Sequence, residues 1–270
     1  MAVLFAGPFC GEFGWELFGF QARVRQLAKR FDKVIVASRP SRRPLYKDFV
    51  DEFIPYAIGT TATSEHFARG FQYNYIHKKY VKFPGDKFIP PNRRLVQYKP
   101  GAPLHASFKN QVFIPYGTPG KLKRYDVVIH ARTRTGWSTQ SRNWNPENWV
   151  NLIEQLTDKG LSVAAIGSPK EATTFPGVVD FRGEPLTHVM NLLASAGTAI
   201  GPSSGPLHLA SLCKCPQVVW SPHKNEVRYK KDWNPFGTAV TFITVANWQA
   251  DVPDVLKAIT QRLEKTHGTR

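Results

Sequence analysis

Apolar residues along this chain alternate between short runs that suit buried strands and longer stretches with helical spacing. Near the amino terminus, a predicted strand at 3–6 precedes a helix at 14–30 and a second strand at 33–37. Further along, a strand at 126–131 precedes a helix that begins at Asn145-Pro146, and Gly160 ends that helix. A buried strand then follows. Alternating strands and helices predict an α/β fold built on parallel sheets.

The most informative pattern lies at 198–220. A strand at 198–200 leads into a loop of glycine, serine and proline, a helix at 206–212 and a strand at 217–220. A loop of small residues that runs directly into a helix presents unpaired backbone N–H groups at the positive end of the helix dipole. Such a turn suits a phosphate or diphosphate, with an ordinary β–α connection as the alternative.

The length of 270 residues allows two α/β domains, which we expect at 1–120 and 121–250. Pro and Gly cluster without periodicity at 114–124, where we expect the linker. A last helix at 252–264 has one apolar face and lies in a terminal segment, 251–270. No apolar run reaches the roughly 18 residues that a transmembrane helix needs. Three cysteines form neither a disulfide framework nor a zinc site, so we expect a cytoplasmic protein.

The chain is strongly basic, with a formal net charge of +16. Residues 1–120 hold 18 lysines and arginines against 8 acidic residues, giving +10, whereas the remainder holds 18 against 12, giving +6. Basic and aromatic residues are interleaved at 69–99, and basic side chains can neutralise phosphates while aromatic rings stack on bases. We therefore expect an anionic acceptor in the first domain. The candidate acceptor-binding residues are Arg39, Arg42, Arg43, Lys78, Lys79, Arg93 and Arg94.

Two short segments resemble the bacterial heptosyltransferase family of glycosyltransferases. Residues 142–146 (RNWNP) are similar to that family's Lys-x-Trp-Pro element, with Arg for Lys and one extra residue before Pro146. Residues 203–210 (SSGPLHLA) are similar to its Asp-Thr-Gly-x-x-His-Leu-Ala loop, which clasps the donor diphosphate, with Ser203 in place of Asp. The resemblance implies a GT-B fold: two Rossmann-like domains with a cleft between them, and a terminal helix that packs back across the first domain.

The resemblance also implies a glycosyltransferase that uses a nucleotide-diphosphate sugar as co-substrate. No Asp-x-Asp motif occurs in the chain, so we expect no metal and no other cofactor. Arginines and a helix N-terminus would stabilise the leaving diphosphate instead. The expected donor-binding residues are Arg132, Arg134, Arg142, Ser203, Ser204, Gly205, Leu207 and His208, with His130 as a weaker candidate. A satisfied core position is the alternative for His208.

The first β–α junction is the expected position of the catalytic base. In the resembled family this junction holds Gly-Asp, and Gly11-Glu12 stands there in this chain, with Glu16 one helical turn further on. We expect Glu12 to act as the base and keep Glu16 as the second candidate. Stabilisation of a helix start by the Glu12 carboxylate is the competing interpretation.

For the acceptor, the basic and aromatic insert favours DNA that contains hydroxymethylated pyrimidines. Lipopolysaccharide core, the usual substrate of the resembled family, is the alternative acceptor. A third hypothesis is a non-catalytic nucleic-acid-binding protein on a degenerate transferase scaffold. The residues that support it are Ser203 and Glu12, which both stand where the family has aspartate.

Overall fold

A computed structural model of the chain describes residues 3–6, 9, 12–55, 87–89, 111–134 and 142–267. The chain divides into two compact units, Met1–Phe113 and Ile114–Arg270. This division falls at the first residue of the linker predicted at 114–124. None of the helices in the described part of the chain is both long enough and apolar enough to cross a membrane.

The described part of the first unit contains a parallel sheet with the strand order β3-β2-β1-β4. The predicted strands at 3–6 and 33–37 are both present, the second extended by one residue. Val34, Ile35 and Val36 are buried, as continuous apolar runs in parallel strands require. The strands are β1 (Val3–Ala6), β2 (Lys33–Ser38), β3 (Glu52–Pro55) and β4 (Lys87–Ile89).

The helix predicted at 14–30 is present as a helical segment with an irregular centre. It consists of α1 (Phe13–Trp15), a π-helical turn (Glu16–Phe20) and α2 (Gln21–Ala28). Every residue of the π-helical turn is buried. A short 3₁₀ helix at Pro40–Leu45 follows β2. Arg25 of α2 donates to the carbonyl of Leu45 at 3.0 Å, which ties this 3₁₀ helix to α2.

The second unit is built on a six-stranded parallel sheet with the order β10-β9-β8-β5-β6-β7. The strands β6 and β7 lie on one side of β5. The strands β8, β9 and β10, which follow in the chain, lie on its other side. The order therefore reverses between β5 and β8. The strands are β5 (Val127–Ile129), β6 (Val163–Ala165), β7 (Val179–Asp180), β8 (Thr198–Pro202), β9 (Gln217–Ser221) and β10 (Val240–Thr244).

Among the helices of this unit, the first begins and ends where sequence signals place it. The side chain of Asn145 caps the first by accepting from the N–H of Glu147 at 3.2 Å, and Pro146 occupies its first turn. Gly160 follows its end with φ of +71°, a conformation that glycine adopts without strain. The helices are α3 (Pro146–Asp158), α4 (Leu186–Ser195), α5 (Gly205–Leu212) and α6 (Val252–His267).

Three tryptophans form the centre of the core of the second unit. The rings of Trp144 and Trp220 lie 4.7 Å apart, and Trp149 packs at 4.8 Å from Trp144 and 5.7 Å from Trp220. The apolar face of α6 packs against this cluster through Val255, Ile259 and Leu263. The terminal helix thus buries its apolar face within its own unit, and its packing across the first domain stays a prediction.

Candidate functional site

The strand order of the second unit reverses between β5 and β8, and polar residues follow both of these strands. His130 comes directly after β5, whereas Ser203 and Ser204 come directly after β8. Nδ1 of His130 and Oγ of Ser204 are hydrogen-bonded at 2.8 Å. In open parallel sheets, ligands bind in the crevice beyond the carboxyl ends of the strands at such a reversal. The structure therefore brings His130 and Ser204 together where a ligand is expected.

The first turn of α5 offers fewer unpaired donors than the sequence suggests. The N–H of Ser203 donates to the carbonyl of Trp220 at 3.1 Å, and the N–H of Ser204 donates to the hydroxyl of Tyr229 at 3.0 Å. Pro206 has no N–H. Within the described part of the chain, Gly205 and Leu207 keep backbone N–H groups that no protein group accepts. Two donors at the positive end of the helix remain for an anion.

The His130 side chain is buried next to the β6–β7 connection, where Gly167 leaves room for the ring. A Cβ on Gly167 would lie 3.0 Å from Cδ2 of His130 and 2.7 Å from Cβ of Ala172. Burial and, to a smaller extent, the positive charge of Arg132 together lower the pKa of His130 to about 3. His130 is therefore neutral at physiological pH, with one ring nitrogen engaged by Ser204.

His208 is a residue of α5, and its side chain packs inside an aromatic cluster. Its ring stacks on Tyr229 with centroids 4.4 Å apart and meets the edge of Trp233 at 4.5 Å. Burial lowers the pKa of His208 well below its ordinary value, and Arg228 adds to the effect. These contacts favour the core interpretation of His208, and its contact with a diphosphate stays a prediction. Tyr229, which holds the N–H of Ser204, is a site residue that sequence reasoning missed.

Two of the three arginines predicted to bind the donor are hydrogen-bonded to Asn143, the residue that follows the third, Arg142. Asn143 joins two of them, since its Oδ1 accepts from Nη1 of Arg132 at 2.5 Å and its Nδ2 donates to the carbonyl of Arg134 at 3.0 Å. The guanidinium of Arg134 forms an ion pair with Glu171 at 3.5 Å. Arg132 is buried and Arg134 is half-buried, and both guanidinium groups already bind other side chains of the protein.

Arg142 is the exposed member of this group. Its guanidinium carbon lies 5.1 Å from the centre of the Trp248 ring. Burial raises the pKa of Tyr229 to about 12, while the positive charges of Arg228 and Arg142 act in the opposite direction. The Arg142 charge thus acts on the tyrosine that binds Ser204 at the start of α5. The sequence places Arg142 in the site, whereas its partner Trp248 lies too far along the chain for any local pattern to indicate.

In the first unit, Glu16 lies buried in the π-helical turn. Its Oε1 accepts hydrogen bonds from Oγ of Ser38 at 2.5 Å and from the hydroxyl of Tyr46 at 2.8 Å, and its Oε2 pairs with Arg42 at 3.4 Å. Burial raises the pKa of Glu16, and Arg42 is the largest of the opposing influences. These contacts join the helical segment to β2 and to the 3₁₀ helix.

Glu12 is in a different environment from Glu16. It is the N-cap residue of α1, is half-buried, and makes no side-chain capping hydrogen bond. Of the basic turn, Arg42 lies over the Phe13 ring at 3.8 Å and pairs with Glu16, whereas Arg43 is exposed and Arg39 half-buried. The remaining candidates for acceptor binding, Lys78, Lys79, Arg93 and Arg94, lie outside the described residues.

Known structures with this architecture exist, although no protein-family model and no curated protein sequence matches the chain. E. coli ADP-heptose LPS heptosyltransferase II is similar with a TM-score of 0.63 and 15% identity, over 99% of this chain and 100% of that one. A glycosyl transferase family 9 protein from Veillonella parvula is similar with a TM-score of 0.64 and 11% identity, over 98% of this chain and 97% of that one. For E. coli heptosyltransferase WaaC with ADP, the TM-score is 0.58 and the identity 15%, over 97% of this chain and 100% of that one. The predicted resemblance to heptosyltransferases is confirmed at the level of the GT-B fold.

Proposed function

We propose that this protein is a glycosyltransferase that moves a sugar from a nucleotide-diphosphate sugar to a hydroxyl group of an anionic acceptor. The observation that supports it best is the meeting of His130 and Ser204 at the start of α5, where the strand order reverses. Arg142 is near enough to act electrostatically on Tyr229, which binds Ser204 there. The structure of E. coli heptosyltransferase WaaC contains ADP, and another contains ADP-2-deoxy-2-fluoro heptose. A nucleotide diphosphate is therefore the donor class that the fold favours.

The donor half of the reaction needs groups that stabilise negative charge on the departing diphosphate. The N–H groups of Gly205 and Leu207 are available for this at the positive end of α5. Arg142 adds a planar, permanently charged group that can form two parallel hydrogen bonds to phosphate oxygens. Fixed donors of this kind act without reorganisation as the glycosidic bond breaks. Ser203, which stands where the resembled family has aspartate, brings no negative charge near the diphosphate.

The acceptor half needs a carboxylate that can remove a proton from the attacking hydroxyl. The two candidates differ in what they already bind. Glu16 accepts from Ser38 and Tyr46 and pairs with Arg42, so both of its oxygens are occupied by protein groups. Glu12 is half-buried and makes no capping hydrogen bond, which leaves it accessible to a substrate hydroxyl. This difference supports Glu12 as the base and Glu16 as a residue that organises the first unit.

Charge favours a polyanion as the acceptor, and we propose DNA with hydroxymethylated pyrimidines. Residues 1–120 hold 18 basic residues against 8 acidic ones, and basic and aromatic residues alternate through 69–99. Phosphate neutralisation and base stacking are the interactions that such a composition offers. A base in a duplex would have to leave the stack to reach a catalytic carboxylate. The phosphates of a lipopolysaccharide core offer the same charge complementarity, which makes that acceptor the alternative.

Donor use can be tested before the acceptor is known. A thermal-shift screen of nucleotide diphosphates and their sugars should identify one nucleotide that stabilises the protein, by about 2.7 kcal/mol at a hundredfold excess over its dissociation constant. The matching nucleotide sugar should then be hydrolysed slowly in the absence of acceptor. If no nucleotide diphosphate binds and no sugar nucleotide is hydrolysed, the non-catalytic hypothesis replaces this one.

The acceptor is then decided by a parallel assay with the identified donor. Hydroxymethylated DNA, unmodified DNA and a lipopolysaccharide core acceptor are each incubated with protein and donor, and the products are analysed by mass spectrometry. A sugar adduct on the hydroxymethylated nucleoside alone supports the DNA proposal. Transfer to the lipopolysaccharide core, with none to DNA, identifies the protein as a heptosyltransferase-like enzyme. DNA binding alone decides nothing, because any protein with a net charge of +16 binds polyanions.

A further inference from the structure

The backbone at Trp248 has an unusual conformation. Its φ is +67°, and in the described part of the chain only one other residue besides glycine, Lys214, has a positive φ. The left-handed region is unfavourable for a bulky aromatic side chain, because the Cβ approaches the neighbouring carbonyl group. Conformations of this kind persist when surrounding contacts impose them, and they cluster at binding and catalytic sites. Trp248 is therefore held in place by its neighbours.

Hydrogen bonds on both sides of Trp248 account for this. On one side, Oδ1 of Asn247 accepts from the N–H of Gln249 at 3.2 Å and so closes a tight turn around Trp248. On the other side, the Gln249 amide spans two backbone groups of the loop before α3. Its Nε2 donates to the carbonyl of Asn143 at 2.8 Å, and its Oε1 accepts from the N–H of Asn145 at 3.0 Å. The turn is thereby fixed to the segment that contains Arg142.

The consequence of this arrangement is a contact between Trp248 and Arg142. The Arg142 guanidinium lies 5.1 Å from the ring centre, within the range of a cation–π interaction, and Trp248 itself is half-buried. The same guanidinium acts electrostatically on Tyr229, which binds the N–H of Ser204. A long, exposed arginine side chain samples many rotamers unless a contact restricts it. Trp248 supplies such a contact to Arg142.

We propose that Trp248 is a positioning residue that holds the Arg142 guanidinium ready for the donor diphosphate. This inference rests on the proposed function, since it assigns to Trp248 a role in donor binding at that site. An aromatic ring restricts the guanidinium while leaving its N–H groups available to phosphate oxygens. The strained backbone at Trp248 is then a requirement of the site and not of the core, which the three buried tryptophans of the second unit already fill.

Calorimetric titration with the nucleotide diphosphate that gives the largest thermal shift tests this proposal. We expect Trp248→Ala to weaken binding about three- to tenfold, as loss of a cation–π contact would. Trp248→Phe should restore most of the affinity, because phenylalanine keeps an aromatic face. In the background of Arg142→Ala, Trp248→Ala should have no further effect. If Trp248 only stabilised the loop, Trp248→Ala would weaken nucleotide binding to the same extent with and without Arg142. Trp248→Phe would then not restore the affinity.

Two further variants separate this role from a loss of folding. Trp248→Gly relieves the backbone at positive φ, so it should unfold at the same temperature as the wild type or higher while binding as weakly as Trp248→Ala. Phe236→Ala is the matched control, because Phe236 contacts Lys214, the other residue with a left-handed backbone, at 5.4 Å, and Lys214 lies at the far end of α5. This control should bind the nucleotide as the wild type does.

The outcomes distinguish the two proposals. If the wild type binds a nucleotide diphosphate and Trp248→Ala binds it equally well, the positioning role is wrong and the proposed function stands. If affinities fall equally for Trp248→Ala, Trp248→Phe and Phe236→Ala, the effect is general destabilisation and the positioning role is again wrong. If the wild type binds no nucleotide diphosphate at all, the proposed function fails, and the role of Trp248 fails with it.

Discussion

Nδ1 of His130 and Oγ of Ser204 lie 2.8 Å apart and join the ends of the two strands between which the strand order reverses. Burial keeps this imidazole neutral, because it is the main cause that lowers the pKa of His130 to about 3. Ser204 is also the N-cap residue of α5. The start of the proposed diphosphate site is thus hydrogen-bonded to a buried, neutral His130.

The depressed pKa of His130 predicts a loss of stability in mild acid. Unfolded histidine titrates near 6.5, so the folded state is favoured fully above that pH and progressively less as the pH falls toward 3. Between pH 7.5 and pH 5, this one group should reduce the free energy of unfolding by about 2 kcal/mol. The pKa of His208 is lowered in the same direction, so the wild type should lose more stability than His130 alone accounts for.

The measurement is urea unfolding of the wild type and His130→Asn at both pH values. Asparagine can keep a hydrogen bond to Ser204 but does not titrate, so its stability should fall less between the two pH values by the His130 share. If both proteins lose the same free energy of unfolding between the two pH values, the pKa of His130 is not lowered in the folded state.

Arg142→Ala should weaken binding of the nucleotide diphosphate by about 1.5–3 kcal/mol, the usual range for a hydrogen bond to a charged group. Arg142→Lys should fall between the alanine variant and the wild type, because lysine keeps the charge but loses the planar pair of donors. Calorimetry measures both affinities. Lys159→Ala, a change at the exposed C-cap of α3, is a control of equal charge. Unchanged affinity in Arg142→Ala would remove this residue from the site.

Glu12→Gln should reduce the rate of sugar transfer by roughly 10²- to 10⁴-fold while nucleotide binding survives. Glutamine preserves the shape of the side chain and removes only its ability to take up a proton. Steady-state transfer and calorimetry together separate these effects. Assignment of the base to Glu12 is wrong if this variant transfers sugar at the wild-type rate.

Glu16→Gln should leave the fold intact and change how the free energy of unfolding depends on pH. Because burial raises the folded pKa of Glu16, the folded state favours the protonated carboxyl, and its stability falls as the pH rises above 4.5 through the raised value. Glutamine imitates the protonated form and should abolish this part of the pH dependence. Urea unfolding at several pH values above 4.5 makes the comparison. A variant that keeps the wild-type pH profile but has lost transfer would indicate that Glu16 is the base.

Transfer should persist in excess chelator. The chain has no Asp-x-Asp motif to hold a metal–diphosphate complex, and the α5 N-terminus with Arg142 can stabilise the leaving group instead. The assay compares rates in chelator with rates in added magnesium or manganese. Activity that disappears with chelator and returns with either ion would overturn metal independence.

Local sequence signals predicted the elements around the site well. Asn145, Pro146 and Gly160 mark the ends of α3 because capping and left-handed φ depend on adjacent residues alone. The strand, loop and helix at 198–212 follow for the same reason. Local signals also placed Ser204 and His130 at strand ends, where a parallel sheet collects its ligand-binding residues.

What the sequence did not predict depends on contacts between distant residues. The N–H of Ser204 donates to the hydroxyl of Tyr229, which lies 25 positions further along the chain. The helix start therefore has fewer unpaired donors than expected. Glu12 and Glu16 lie one helical turn apart, and the burial of Glu16 against Ser38 and Tyr46, which separates their environments, comes from residues far along the chain. Trp248 gives no local indication of its role, because its partner Arg142 precedes it by more than a hundred residues.

The pairing of 143–145 with 249–250 also has a consequence for biosynthesis. Gln249 and Ala250 bind Asn143 and Trp144 across 106 positions of the chain. While the ribosome is still adding the intervening residues, the loop that holds Arg142 lacks these contacts, although Asn143 can already bind Arg132 and the carbonyl of Arg134. The strands of the second unit end by Thr244, whereas the contacts that fix the proposed Arg142 position form only after residue 250 has been added. A chain released by premature termination before this point would lack these contacts, so we expect it to bind a sugar nucleotide less tightly than a chain that includes them.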